Sequence, residues 1–295
     1  MIDTLPTFVL HSRKNLKDLP YTGMDSPSNA IDKVHFSSFP YKVAYSYNSR
    51  GFRDAEWPKT IEELKDAIWC IGDSFTAGVG SPYEHMWTQL LQKRTGQRTI
   101  NVSLDGASND WIARHIIDLI NEIEPKTVVV CWSKFHRRES LDSSLSDEER
   151  RLHFETLDPF TNVKNFVYNY SRSNQQTTTK IINMAIPDCC IINEFSCAGF
   201  KDPRCELDEI WDTIKGPNWP SRYTGSENLP DSILNELNAG EFTLRLDILK
   251  YLVDSNVTFI NYKLLDLARD GFHFDRLTSE SIVDSVVAEL NSLSA

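Results

Sequence analysis

Long hydrophobic runs are missing from this sequence: nothing approaches the ~18 consecutive apolar residues that a membrane span requires, so no membrane association is expected. The opening MIDTLPTFVLHSRKNLKDLP has no basic stretch followed by an apolar one, so no secretion signal is read and a cytoplasmic location is expected. Basic residues are in deficit. The 31 Lys and Arg face 42 Asp and Glu, a net charge of −11, and a phosphate-binding face needs the opposite balance. Nucleic acid is therefore not an expected partner. Cysteine is sparse, six in 295 residues, and no two form a CxxC pair. Cys189, Cys190, Cys197 and Cys205 crowd one segment, but not at the spacing of a closed four-ligand zinc site. Reduced, buried thiols are the expectation, with no metal and no cofactor. Internal repeats and low-complexity tracts are also absent.

Apolar residues nevertheless make up 40% of the chain, enough for a globular core. Residues 1–66 carry Pro6, Pro20, Pro27, Pro40 and Pro58 with no clean period, and read as an arm laid over a body. From Ala67 onward short β-branched runs alternate with amphipathic stretches. The runs at 67–72, 98–104, 126–132, 180–186 and 257–262 predict five buried strands. Ser81-Pro82 ahead of an apolar stripe predicts a capped helix ending at Gly96. Ile112, Ile116, Leu119, Ile120 and Ile123 predict a helix over 109–123, and similar stripes fall at 241–254 and 278–293. Residues 134–178 read as charged and helical, and 188–239 as an insertion. Such alternation predicts an α/β fold, with a mainly parallel five-stranded sheet covered on both faces.

Ligands of open α/β sheets sit beyond the carboxyl ends of the strands. The first strand run is followed by Gly72-Asp73-Ser74-Phe75-Thr76-Ala77-Gly78, the second by Asp105-Gly106-Ala107-Ser108-Asn109, and the third by Ser133-Lys134-Phe135-His136-Arg137-Arg138. Asp270-Gly271-Phe272-His273 stands just before the last helix. A serine, a glycine turn and an Asp-x-x-His pair on one sheet edge form a set suited to nucleophilic catalysis. Each also has a structural reading: Ser74 as a helix cap, His273 as a core histidine, Asp270 as a turn residue. Asn109 reads as the N-cap of helix 109–123 or as a hydrogen-bond donor to the site. Lys134, His136, Arg137 and Arg138 form a basic knot that can hold a substrate carboxylate or phosphate, or lie solvated. Trp211, Trp219 and Tyr223 can stack on sugar rings or anchor the insertion. Gly72, Gly78 and Gly80 do not fit a nucleotide-binding loop.

IGDSFTAG after the first strand, with DGFHFD near the C-terminus, resembles the SGNH (GDSL-type) hydrolase superfamily over roughly residues 67–295. NSRGFRDAEWP (48–58) resembles a segment that precedes the GDS block in some members. The resemblance implies a three-layer α/β/α sandwich of flavodoxin-like type, with Ser74 as nucleophile, His273 as base and Asp270 as its orienter. It implies an oxyanion hole built from the backbone amides of Ser74 and Gly106. The family's Gly-x-Asn-Asp block is missing: Cys131-Trp132-Ser133-Lys134 stands there instead. Asn109 and Ser133 are the candidate substitutes for its asparagine, and Lys134 and Arg137 the candidate substrate contacts. The activity implied is a serine esterase removing a small, acetyl-like acyl group from a carbohydrate or other polar substrate. A transferase using the same residues and a non-catalytic binding protein on the same fold are the alternatives. The oligomeric state is left open.

Overall fold

The computed structural model describes residue 5 and residues 7–139, 146, 149, 159–175, 177–186, 251–252, 254–260 and 262–292. Four of the predicted apolar runs become strands: β1 (Ile68–Gly72), β2 (Thr99–Ser103), β3 (Thr127–Trp132) and β4 (Lys180–Ala185). All pair in parallel, in the order β2-β1-β3-β4, with Gly72 level with Ser103 on one side and Cys131 on the other. Every residue of β1, β2 and β3 is buried, as both faces of the sheet are covered.

Among the described residues the sheet has four strands, not five. Residues 257–260 run beside β4 but make one backbone bond to it, Ile260 N to Asn183 O at 2.8 Å. The Tyr170 hydroxyl explains the loss. It accepts from Thr258 N at 3.1 Å and donates to Thr258 O at 3.2 Å, taking two groups a ladder would need.

Among the described residues the helices are α1 (Lys33–Ser38), α2 (Ile61–Asp66), α3 (Ser74–Ala77), α4 (Trp87–Thr95), α5 (Asn109–Glu122), α6 (Pro159–Ser173) and α7 (Arg276–Asn291). Chain leaves β1 toward β2 through α4, then returns across β1 to β3 through α5. Right-handed crossovers put these two connections on opposite faces. On those faces α4 packs with α7 and α5 with α6, giving the three-layer α/β/α sandwich. Ile112, Ile116 and Leu119 of α5 are fully buried, each contributing roughly 1.5–3 kcal/mol. The helix predicted from Ser81 begins later. Tyr83–His85 forms a single 3₁₀ turn and α4 starts at Trp87, because Ser81 Oγ donates to Phe274 O instead of capping. Gly96 closes α4 with φ 70°, as its position predicts. Of segment 134–178, residues 159–173 are helical and 134–139 are not. Helix 241–254 lies mostly outside the described residues. So do the insertion at 188–239, its Trp211, Trp219 and Tyr223, and the four crowded cysteines. Cys70 and Cys131 are free, buried thiols.

Residues ahead of β1 are bonded into this body. Phe8 is fully buried and meets Trp57, Trp69 and His115 edge-on. Leu19 and Tyr45 form an antiparallel bridge, and a Thr60–Glu63 capping box starts α2. No helix among the described residues is long and apolar enough to cross a membrane.

Candidate active site

Chain direction reverses between β1 and β3: the loop after β1 leaves toward α4, that after β3 toward α6. A crevice opens at such a point, at the carboxyl ends of the two strands. Ser74 stands at that end of β1 as the first residue of the one-turn helix α3, and is 2% exposed. Asp73 caps the turn, its Oδ1 accepting from Phe75 N at 3.0 Å. The tight exit from β1 requires glycine. A Cβ on Gly72 would run into Thr76 Oγ1 and lie 2.9 Å from Cys131 O.

His273 Nε2 lies 2.8 Å from Ser74 Oγ, 199 residues away in sequence. On its other side, His273 Nδ1 lies 2.5 Å from Asp270 Oδ2. Asp270 Oδ1 accepts from the backbone N–H groups of Phe272 and His273 at 3.0 and 3.1 Å, which fixes the carboxylate. Burial alone would raise the Asp270 pKa. The hydrogen bonds and charge of His273 outweigh it and hold the carboxyl below its ordinary value. Asp270 Oδ2 thus selects the tautomer that donates from Nδ1, leaving Nε2 as the acceptor of a hydrogen bond from Ser74 Oγ. Gly80 lets the serine loop approach the Asp–His loop. With φ +78°, a Cβ there would lie 2.8 Å from Ala268 Cβ and 3.1 Å from Asp270 Cγ. Gly106, at φ 75°, follows β2. The N–H groups of Ser74 and Gly106 have no acceptor among the described residues.

Asn109 is not the cap of α5. Ser108 caps it, accepting from Trp111 N at 3.0 Å, because the Asn109 side chain is engaged elsewhere. Asn109 Oδ1 accepts from Ser133 N at 2.9 Å, and Nδ2 donates to Ser133 O and Lys134 O at 3.2 and 3.0 Å. Both amide hydrogens are therefore spent on the loop after β3. Ser133 Oγ donates to Asp73 Oδ2 at 2.7 Å. Arg137 Nη1 reaches the same Asp73 oxygen at 2.9 Å and Ser133 Oγ at 3.0 Å. Asp73 is fully buried. Desolvation raises its pKa, opposed first by the Arg137 charge and then by the Ser133 hydroxyl. The Lys134 ammonium lies 5.5 Å from the Phe272 ring centroid, in cation–π range, and Phe272 in turn flanks His273.

Residues ahead of β1 contribute a second network that composition and periodicity did not reveal. Asp25, fully buried, accepts from Arg269 Nε and Nη2 at 2.8 and 2.6 Å and from the Tyr45 hydroxyl. That hydroxyl also accepts from Gly80 N at 2.8 Å, while Arg269 N donates to Gly80 O at 3.0 Å. Ile31 N donates to Asp270 O at 3.1 Å. Arg53, 2% exposed, donates to the carbonyls of Ala77, Gly78, Ala44 and Ser81, and lies over the Tyr45 ring. Arg53 lies within the NSRGFRDAEWP segment, the one sequence signal for this network. Asp25 had none.

No family model and no curated protein matches the chain. The fold is similar to that of GDSL-type acylhydrolases and esterases of known structure. One is the psychrotrophic esterase EstA from Pseudoalteromonas sp., inhibited by monoethylphosphonate: 16% identity over 77% of this chain and 99% of that one, TM-score 0.42. Another is a GDSL-like lipase from Bacteroides thetaiotaomicron, 14% identical over 80% and 93% of the two chains, TM-score 0.36. A family two carbohydrate esterase from Clostridium thermocellum, in complex with cellohexaose, is 13% identical over 81% and 67%, TM-score 0.39.

Proposed function

We propose that the protein is a serine esterase that cleaves a small acyl ester through an acyl-enzyme. One observation carries the reading: the unbroken chain Ser74 Oγ, His273 Nε2, His273 Nδ1, Asp270 Oδ2, closed across 199 residues by hydrogen bonds of 2.8 and 2.5 Å. Ser74 attacks the ester carbonyl as its proton passes to His273 Nε2. Asp270 stabilises the imidazolium that forms without taking its proton. The Ser74 and Gly106 N–H groups face no competing acceptor among the described residues and are available to the oxyanion. Collapse of the tetrahedral intermediate expels the alcohol, which takes the proton from His273. Water then attacks the acyl-serine with His273 again as base, releasing the acid and free Ser74. A polar acceptor alcohol in place of that water makes the same machinery a transferase.

The substrate is a small acyl group on a carbohydrate or other polar alcohol. Phe75 and Phe272 flank the imidazole with centroids 4.5 and 5.1 Å away, and the Lys134 ammonium lies against Phe272. An apolar wall edged by a cation suits a short acyl chain on a polar body. A serine-directed fluorophosphonate tests the reading, together with chromogenic esters of increasing acyl length. Wild type should gain one adduct by intact mass and turn over acetyl esters best, and Ser74→Ala should do neither. Unlabelled wild type, under conditions that label a control esterase, would favour a binding protein on this fold.

A further inference from the structure

We propose that Arg137 is a catalytic residue that supplies the third oxyanion donor of this site; the inference rests on the esterase reading above. The parallel register pairs Gly72 of β1 with Cys131 of β3, so continuing the count sets Ser133 beside Ser74 at the mouth of the crevice. Arg137 bridges the loops that follow the two strands. Its Nη1 bonds Asp73 Oδ2, from the residue before the nucleophile, at 2.9 Å, and Ser133 Oγ on the opposite lip at 3.0 Å.

Two neighbouring polar side chains, Asn109 and Ser133, have no hydrogen left to give. Both Asn109 Nδ2 hydrogens go to the Ser133 and Lys134 carbonyls, and the Ser133 hydroxyl hydrogen goes to Asp73. Arg137 is different. A guanidinium carries five N–H donors, and the two on Nη1 are used. Nε and Nη2 have no partner among the described residues, and the side chain is 25% exposed. Its backbone is also fixed: Arg137 N donates to Lys134 O at 3.0 Å, and Arg137 O accepts from Asn109 N at 3.1 Å. Asn109 thus grips the 133–137 turn at four backbone atoms and acts as its positioning residue. The Asp73 carboxylate neutralises the guanidinium in the resting site. A negative tetrahedral oxygen then meets an oriented cationic donor that needs no reorganisation, the arrangement that favours the transition state over the neutral ester.

The test compares Arg137→Lys, Arg137→Gln and Arg137→Ala in the full chain with p-nitrophenyl acetate, reading kcat and KM separately beside melting temperature and the rate of fluorophosphonate adduct formation. A lost oxyanion donor lowers kcat about 10²–10³-fold. KM should stay within about threefold, adduct formation should slow in parallel, and free guanidinium ion should restore part of the Arg137→Ala rate. Arg137→Lys keeps the ion pair with Asp73 and removes the fork, so it reads the same loss should the neutral variants fold poorly. A raised KM with unchanged kcat would make Arg137 a ground-state anchor and overturn the proposal. A lowered melting temperature with unchanged kcat would reduce it to structure and overturn it too. Failure of the esterase reading looks different: wild type then forms no adduct, or Ser74→Ala turns over ester at the wild-type rate.

Discussion

Replacing Asp25 by alanine removes the acceptor of three hydrogen bonds at once. Its carboxylate is fully buried, holds Arg269 Nε and Nη2, and takes the Tyr45 hydroxyl. Deleting one partner of a buried ion pair costs roughly 3–5 kcal/mol, because the remaining charge is stranded. Arg269 is not wholly stranded: its side chain is 13% exposed, Nη2 keeps the Pro20 carbonyl at 2.8 Å, and Tyr21 and Phe36 lie under the guanidinium. The low end, about 3 kcal/mol, is therefore expected for Asp25→Ala. Arg269→Leu leaves a fully buried anion with only Tyr45 and should cost about 4 kcal/mol. The double variant strands neither charge, so its cost should fall short of the summed singles by about 2 kcal/mol or more. Urea unfolding of the three variants and wild type yields the four free energies. Because Arg269 N holds Gly80 O and Asp270 follows it in the chain, Asp25→Ala should also lower kcat at temperatures where it remains folded. Additivity within about 0.5 kcal/mol would refute the claim that Asp25 and Arg269 act as one unit.

Three further outcomes follow from other contacts. Ser108→Ala removes the α5 cap and should cost about 1 kcal/mol with kcat unchanged, whereas Asn109→Ala should both destabilise and lower kcat; thermal melts and ester kinetics on the pair separate cap from clamp. Gly80→Ala forces a Cβ against Ala268 and Asp270 at φ +78°, so adduct formation should slow, at a stability cost of roughly 1–3 kcal/mol; wild-type labelling would show that the loops have room. Burial pushes the Asp54 carboxyl up to about 6 despite its pairing with Arg98. A carboxyl raised in the folded state contributes stability that is full below its ordinary value of 3.8 and lost as pH rises through about 6. Unfolding free energy of wild type minus that of Asp54→Asn should accordingly fall between pH 4 and 7, by at most about 3 kcal/mol, and a flat or rising difference contradicts it.

Much of this architecture is legible in the chain because it is locally determined. β1 and β3 are β-branched runs too short for helices, and the serine turn and the Asp-x-x-His loop each fit within a few residues. Legibility failed where a distant side chain intervened. Residues 257–260 have a strand's composition, but the Tyr170 hydroxyl, 88 residues earlier, occupies the groups that would pair. Ser108 and Asn109 are both good caps, and the choice is made by Ser133 and Lys134, which require Asn109. Asp25 sits among prolines and serines with no period to mark it, and its partner is 244 residues away.

Those separations also bear on the order of events as the protein folds. The strands β1, β2 and β3 lie within residues 68–132 and need only moderate loops to close. Joining His273 to Ser74, or Arg269 to Asp25, brings together points 199 and 244 residues apart, and such contacts are slow to form because their loop entropy is spent before any contact repays it. Secondary structure should accordingly recover first after denaturant is diluted, with reactivity of Ser74 toward a fluorophosphonate returning later. On the ribosome Ser74 emerges long before His273: a nascent chain carries the Ser74 turn without its hydrogen-bond partner until residues 268–273 arrive to fold against residues made well ahead of them.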